Sequence, residues 1–171
     1  MKKVFWFLII VLVVFILTFA VFYFTKFNNI FASKKNLEKP SISIDFIKNN
    51  PGIQVIKEEH IDYLTNELGA YKLHSYNDEA AVMVFEITDI NKKLALIVDD
   101  SKSSVKEDIP EKYDMLISGD QLVIAELIES TNLSEDIVAM GDDGNITVEL
   151  VSDMTTLAMK GYLAVYSEIT G

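Results

Sequence analysis

His60 and His74 are the only imidazoles in this 171-residue chain, which has neither cysteine nor arginine. That inventory limits the chemistry sharply. A structural zinc site takes four ligands from Cys, His and carboxylates, and a catalytic site takes three and leaves a position open. Two histidines, one expected on a helix and one on a strand, with no thiolate to join them, make neither. Both read as structural residues, at the surface or half buried. Asp99-Asp100 and Asp142-Asp143 offer carboxylates, but adjacent pairs lack the alternating spacing with which a calcium loop surrounds its ion. They read as turn residues. Ser118 lacks the frame of a nucleophile elbow, and its place three residues before Gln121 suits a capping box. No glycine-rich phosphate loop is present. The expectation is a protein that is not an enzyme, with no metal and no cofactor. The side chains left to bind anything are apolar. Met140, Met154 and Met159 carry flexible thioethers, which fill core gaps or line adaptable pockets.

The charge pattern narrows the partners. Residues 41–171 hold nine lysines and 25 acids, a net of −16, and from Glu107 onward the only cations are Lys112 and Lys160. Such a surface does not follow a phosphate backbone, so no nucleic acid partner is expected. Anionic lipid headgroups repel it too, and contact with a membrane must come from something other than charge. The protein partner, if there is one, is not legible.

Residues 4–24 supply that contact. Seventeen of these 21 residues are Leu, Ile, Val or Phe, and none is charged. At about 1.5 Å per residue the run reaches roughly 32 Å as a helix, against a hydrocarbon core of about 30 Å. Trp6 and Tyr23 stand near its ends, where amphipathic rings favour the interface. The run is longer than a signal-peptide core and ends in Phe22-Tyr23-Phe24 rather than in small residues. It reads as a single-pass signal anchor over residues 1–25. Lysines flank it on both sides, Lys2 and Lys3 before and Lys26, Lys34, Lys35 and Lys39 after, so the side on which the domain lies stays open. Residues 26–40 read as a juxtamembrane linker and 41–171 as one α+β domain.

The elements expected in that domain follow from periodicity. Ile61, Leu64 and Leu68 recur at helical spacing, and Gly69 ends a helix over about Lys57–Leu68. Tyr71–Tyr76 alternates weakly as a strand. Ala81–Ile87 is apolar on both faces, as a strand in the middle of a covered sheet would be. Asp89–Asn91 turns it into Leu94–Val98, forming a hairpin. Ser101–Glu111 reads as a polar loop and Tyr113–Ile117 as another strand. A helix through Leu122–Glu129 follows, capped by Ser118, then a short helix capped by Ser134. After a turn at Gly141–Gly144, Asn145–Val151 alternates cleanly. A last helix is expected over Met154–Glu168. Between Leu157 and Tyr166 its only charge is Lys160. A helix apolar nearly all round must touch something apolar besides its own core.

Over about Ala80 to Ile169, just over half the chain, this order resembles the sterol carrier protein family, the type-two lipid-transfer domain. The similarity rests on Tyr113–Asp120, on the helix Leu122–Ser130, and on Asp136–Gly141. It continues through Met140-Gly141-Asp142-Asp143-Gly144 and the ending Asp153-Met154-Thr155-Thr156-Leu157-Ala158-Met159-Lys160. The resemblance implies a five-stranded mixed, mostly antiparallel sheet covered by helices. It also implies an apolar tunnel for a fatty acyl chain, sterol or other lipid. The residues expected to line it are Val82, Val84, Leu127, Met140, Ile146, Val148, Leu150, Met154, Leu157, Ala158 and Met159. The other reading is an anchored structural or adaptor domain with a filled core, acting through protein contacts. The acidity and the anchor depart from the family pattern and argue against a freely diffusing shuttle. If the apolar run serves only the membrane, residues 41–171 expressed alone should be soluble and melt cooperatively. Aggregation of that fragment at neutral pH, despite its charge, would count against this division.

Overall fold

The computed structural model describes residues 33–99 and 102–170. The run 4–24 lies outside the described residues, and so does the signal-anchor reading that rests on it. No helix among those described is long and apolar enough to cross a membrane. Residues 33–40, read from composition as the end of the linker, have no helix or strand. They are nevertheless held to the domain. The Lys35 amide donates to Asn66 Oδ1 at 2.9 Å, and Asn66 Nδ2 donates back to the Lys35 carbonyl at 2.9 Å. Asn66 is buried, so this reciprocal pair satisfies polar groups that are costly to leave unpaired.

The helices and strands come in the order α1 Ile44–Asn49, α2 Glu58–Glu67, β1 Ala81–Ile87, β2 Lys92–Asp99, β3 Lys102–Lys106, β4 Met115–Gly119, α3 Gln121–Glu129, α4 Leu133–Asp142, β5 Ile146–Leu150, α5 Met154–Met159 and α6 Tyr162–Thr170. The strands form one five-stranded sheet in the order β3-β2-β1-β4-β5. β1 and β4 are parallel, and the other three pairings are antiparallel. The fold is therefore α+β with a mixed sheet, and β1 occupies the central position that its two apolar faces require.

The pleat separates two surfaces. Met83, Phe85, Leu94, Leu96, Met115, Ile117 and Ile146 face the helices and pack with Ile61, Leu64, Val123, Leu127, Tyr162 and Val165 in the main core. Each such side chain contributes about 1.5–3 kcal/mol when fully buried. Val82, Val84 and Ala95 point the other way, into a smaller cluster with Ile97, Ile109, Tyr113 and Leu116.

Several elements differ from expectation, each for a local reason. Tyr71–Tyr76 is not a strand. A 3-10 turn at Ala70–Lys72 follows Gly69, whose φ of +84° turns the chain. β3 falls inside the stretch read as a polar loop; Lys-Ser-Ser-Val-Lys is the composition of an edge strand, where charge discourages further pairing. Helix α3 is capped by Asp120, whose Oδ1 accepts from the Val123 amide at 2.8 Å, while Ser118 sits in β4 with its hydroxyl 3.3 Å from Glu86. Asn132, not Ser134, precedes α4. His60 is buried rather than at the surface: its Nδ1 accepts from the Lys57 amide at 3.2 Å. Burial lowers its pKa, against the opposing pull of Glu59 and the Ser41 carbonyl. The expected final helix is two, broken at Lys160-Gly161. Gly161 has φ +91°, and a Cβ there would lie 2.5 Å from the Lys72 carbonyl oxygen.

A buried ion pair lies at the break. Lys160 Nζ lies 2.9 and 3.1 Å from the two Asp114 carboxylate oxygens and donates to the Ala80 carbonyl at 2.8 Å. Asp114 also accepts from the Ser152 hydroxyl (2.7 Å), the Val82 amide (2.8 Å) and the Tyr162 hydroxyl (3.2 Å). Removing one partner of a buried pair strands the other charge and typically costs about 3–5 kcal/mol. Asp114→Ala should lower stability by about that amount in denaturant melts. A variant melting like the parent would show that the pair holds nothing.

Candidate functional site

The helical side of the sheet is not completely filled. A cavity of about 220 Å³ lies between β1, β4 and β5 below and α2, α3, α4 and α6 above. Its floor is Met83, Phe85, Met115, Ile117, Ile146, Val148 and Leu150; Leu64, Leu68, Leu127, Ile137, Val165 and Tyr166 close it from the helices. The strand register explains why these residues meet. Met83 pairs with Met115 and Phe85 with Ile117 across β1–β4. Met115 pairs with Leu150, and Ile117 with Val148, across β4–β5. Every one of these points to the same face. Protein interiors have few voids larger than a water molecule, and an apolar void of about 150 Å³ stays dry and admits a small hydrocarbon. The cavity opens where Val148 and Tyr166 are 54% and 59% exposed.

A second cavity of about 300 Å³ adjoins it, lined by Met115, Leu150, Met154, Leu157, Tyr162, Leu163 and Tyr166. Met115, Leu150 and Tyr166 belong to both walls. No residue lining either cavity is charged. The Tyr162 hydroxyl is committed to Asp114.

The residues expected from sequence are therefore divided by the fold. Leu127, Ile146, Val148 and Leu150 line the first cavity, and Leu150, Met154 and Leu157 the second. Val82 and Val84 do not face them. They stand at the alternate positions of β1 and project through the opposite side of the sheet. A strand apolar on both faces carries no sign of which face meets the cavity. Met140 is half buried against the core but lines neither cavity. Ala158 and Met159 are exposed, because they stand off the face of α5 that Leu157 buries. The roof consists of Val165 and Tyr166 from α6. Met83, Phe85, Met115 and Ile117 were missed as lining, although their alternation with Val82, Val84 and Leu116 was visible in the sequence.

Among the described residues no group of three or more His, Cys, Asp or Glu is arranged to hold a metal ion; Asp100 lies outside them. No protein-family model matches the chain, and no curated protein does. Among solved structures, one titled as a UbiJ-SCP2 ubiquinone synthesis protein is similar at 13% identity, over 63% of this chain and 94% of that one, with a TM-score of 0.38. Two structures of the sec-alkylsulfatase Pisa1 are also similar. A double mutant shares 11% identity over 54% of this chain, TM-score 0.37, and the enzyme from Pseudomonas sp. 12% over 49%, TM-score 0.35. Each match covers 13% of the sulfatase chain.

The wall shared with the ion pair has a titration signature. Burial pushes the Tyr162 phenol far above its ordinary range, and the Asp114 charge and the hydrogen bond donated to it act in the same direction. An unfolded tyrosine ionises near pH 10. The folded state keeps this proton while the unfolded state releases it, so the contribution is complete below about pH 10 and falls as pH rises further. Thermal stability should drop above pH 10, and Tyr162→Phe should drop less steeply over that range.

Proposed function

We propose that this chain is a membrane-tethered lipid-binding module. Residues 4–24 hold it to the membrane, and the cavity beneath α6 receives an apolar chain of a fatty acyl lipid, sterol or other lipid. The observation that carries this reading is the cavity itself: about 220 Å³, open at one end, and walled by aliphatic, thioether and aromatic side chains with no charge. The resemblance of Ala80–Ile169 to sterol carrier domains supports it, as do the five-stranded mixed sheet and the helices that close one face. A lipid site needs a wall that excludes water and makes few directional demands, and Met83, Met115 and the branched residues of β4 and β5 meet that need.

An adaptor role is the second reading. Val151, Met154, Met159 and Leu163 are exposed along the end of β5 and on α5 and α6. Exposed apolar groups gathered on one flank mark contact surfaces as often as ligand mouths.

Two substitutions separate the readings. Leu157 is fully buried but lines the second cavity. Under the adaptor reading, with that space filled, Leu157→Trp should cost about 1–3 kcal/mol by overpacking, whereas under the lipid reading the ring enters open space and stability falls much less. Val148→Trp enters open cavity space from an edge strand and should leave the melting temperature nearly unchanged. Under the lipid reading, Val148→Trp abolishes retention of a fluorescent lipid by the full-length protein. Retained binding in that variant, or a parent protein that takes up no lipid, would favour the adaptor.

A further inference from the structure

Resting on the lipid reading, we infer that the site selects uncharged lipids and excludes those with an anionic head, such as free fatty acids or acyl phosphates. A carboxylate or phosphate entering a pocket needs a cation or a set of donors to replace its water, because transfer of an unpaired charge is strongly unfavourable. Neither cavity has a charged lining residue.

On the α2 side, Lys72 of the following 3-10 turn sits with its ammonium 5.9 Å from the Tyr71 ring centroid and lines neither cavity. Between Glu107 and Thr170 the chain has two cations, Lys112 and Lys160. Lys160 is buried on Asp114 and the Ala80 carbonyl. Lys112 pairs with Glu79 and lines a different cavity, together with Ala80, Val82 and Pro110. Acids instead populate the elements beside the opening. Glu135, Asp136 and Asp142 lie on α4, Glu149 is exposed on β5 between Val148 and Leu150, and Asp153 caps α5. An anionic head held at the mouth would meet the field of these acids with no lysine in either cavity wall to offset it. An alcohol, ester or other neutral head would meet only water and a hydroxyl.

The test uses the full-length protein immobilised in a nonionic detergent at pH 8. It is offered equal amounts of isotope-labelled tetradecanol and tetradecanoate, and retained lipid is extracted and quantified against beads carrying detergent alone. Tetradecanol should be enriched over tetradecanoate by about tenfold or more at low salt, with the ratio narrowing as salt shortens the screening length. Val148→Lys, which sets an ammonium at the mouth, should raise tetradecanoate retention and collapse the ratio. Equal retention of the two lipids by the parent protein would overturn the selectivity and leave the lipid site standing. Retention of neither would remove the lipid site as well, and with it this inference.

Discussion

The ion pair between Asp114 and Lys160 ties together parts of the fold that are distant in sequence. The carboxylate receives the Val82 amide from β1 and the Ser152 hydroxyl from the end of β5. Its own main-chain carbonyl accepts from Val151 and Ser152 at 2.9 and 3.2 Å. The ammonium reaches back to Ala80. One buried charge pair thus sets the start of β1, the entry to β4, the exit from β5 and the bend between α5 and α6. Replacing such a pair by hydrophobic groups can be neutral or even favourable for stability, so its contribution is better understood as geometric. It admits one arrangement of four segments and penalises the others with an unpaired charge.

The cavity follows from that arrangement. Lys160 is held inward, the chain turns at Gly161, and α6 places Val165 and Tyr166 in one cavity wall with Ile117 and Leu150. α5 lines the second cavity through Met154 and Leu157, and α6 lines both, with Val165 and Tyr166 in the first and Tyr162, Leu163 and Tyr166 in the second. The glycine is required there in a strict sense: its φ is +91°, and a side chain would collide with the Lys72 carbonyl.

Electrostatics and packing assign separate tasks to the two kinds of residue in this domain. Acids cover the exterior and keep it apart from anionic surfaces, which leaves membrane residence to residues 4–24 in the proposed function. The interior of the candidate site is free of charge. Under the proposed function, these neutral walls and the surrounding acids would act as a filter, with its sign set by the surface and its shape by the strand register.

Much of this was legible in the linear pattern. The 3.6-residue spacing of Ile61, Leu64 and Leu68, the doubly apolar Ala81–Ile87, the turn after it and the alternation of Ile146, Val148 and Leu150 each follow from local periodicity, which depends only on neighbours in the chain. So do the acidity and the absence of arginine and cysteine. Five strands were expected and five are found among the described residues, yet not the same five. Tyr71–Tyr76 was replaced by Lys102–Lys106, because an edge strand with one small apolar residue has no periodic signal and exists only through pairing with β2. The partner of Lys160 was invisible for the same kind of reason: 46 residues separate it from Asp114, and no local pattern marks either as buried. The face of β1 was read the wrong way round, as Val82 and Val84, because both faces are apolar; the parallel pairing with β4 is what places Met83 beside Met115 on the cavity side. Sequence determined which residues prefer to leave water; tertiary structure decided which of them meet one another and which meet empty space, because pairing and register are properties of contacts that the chain makes only when folded.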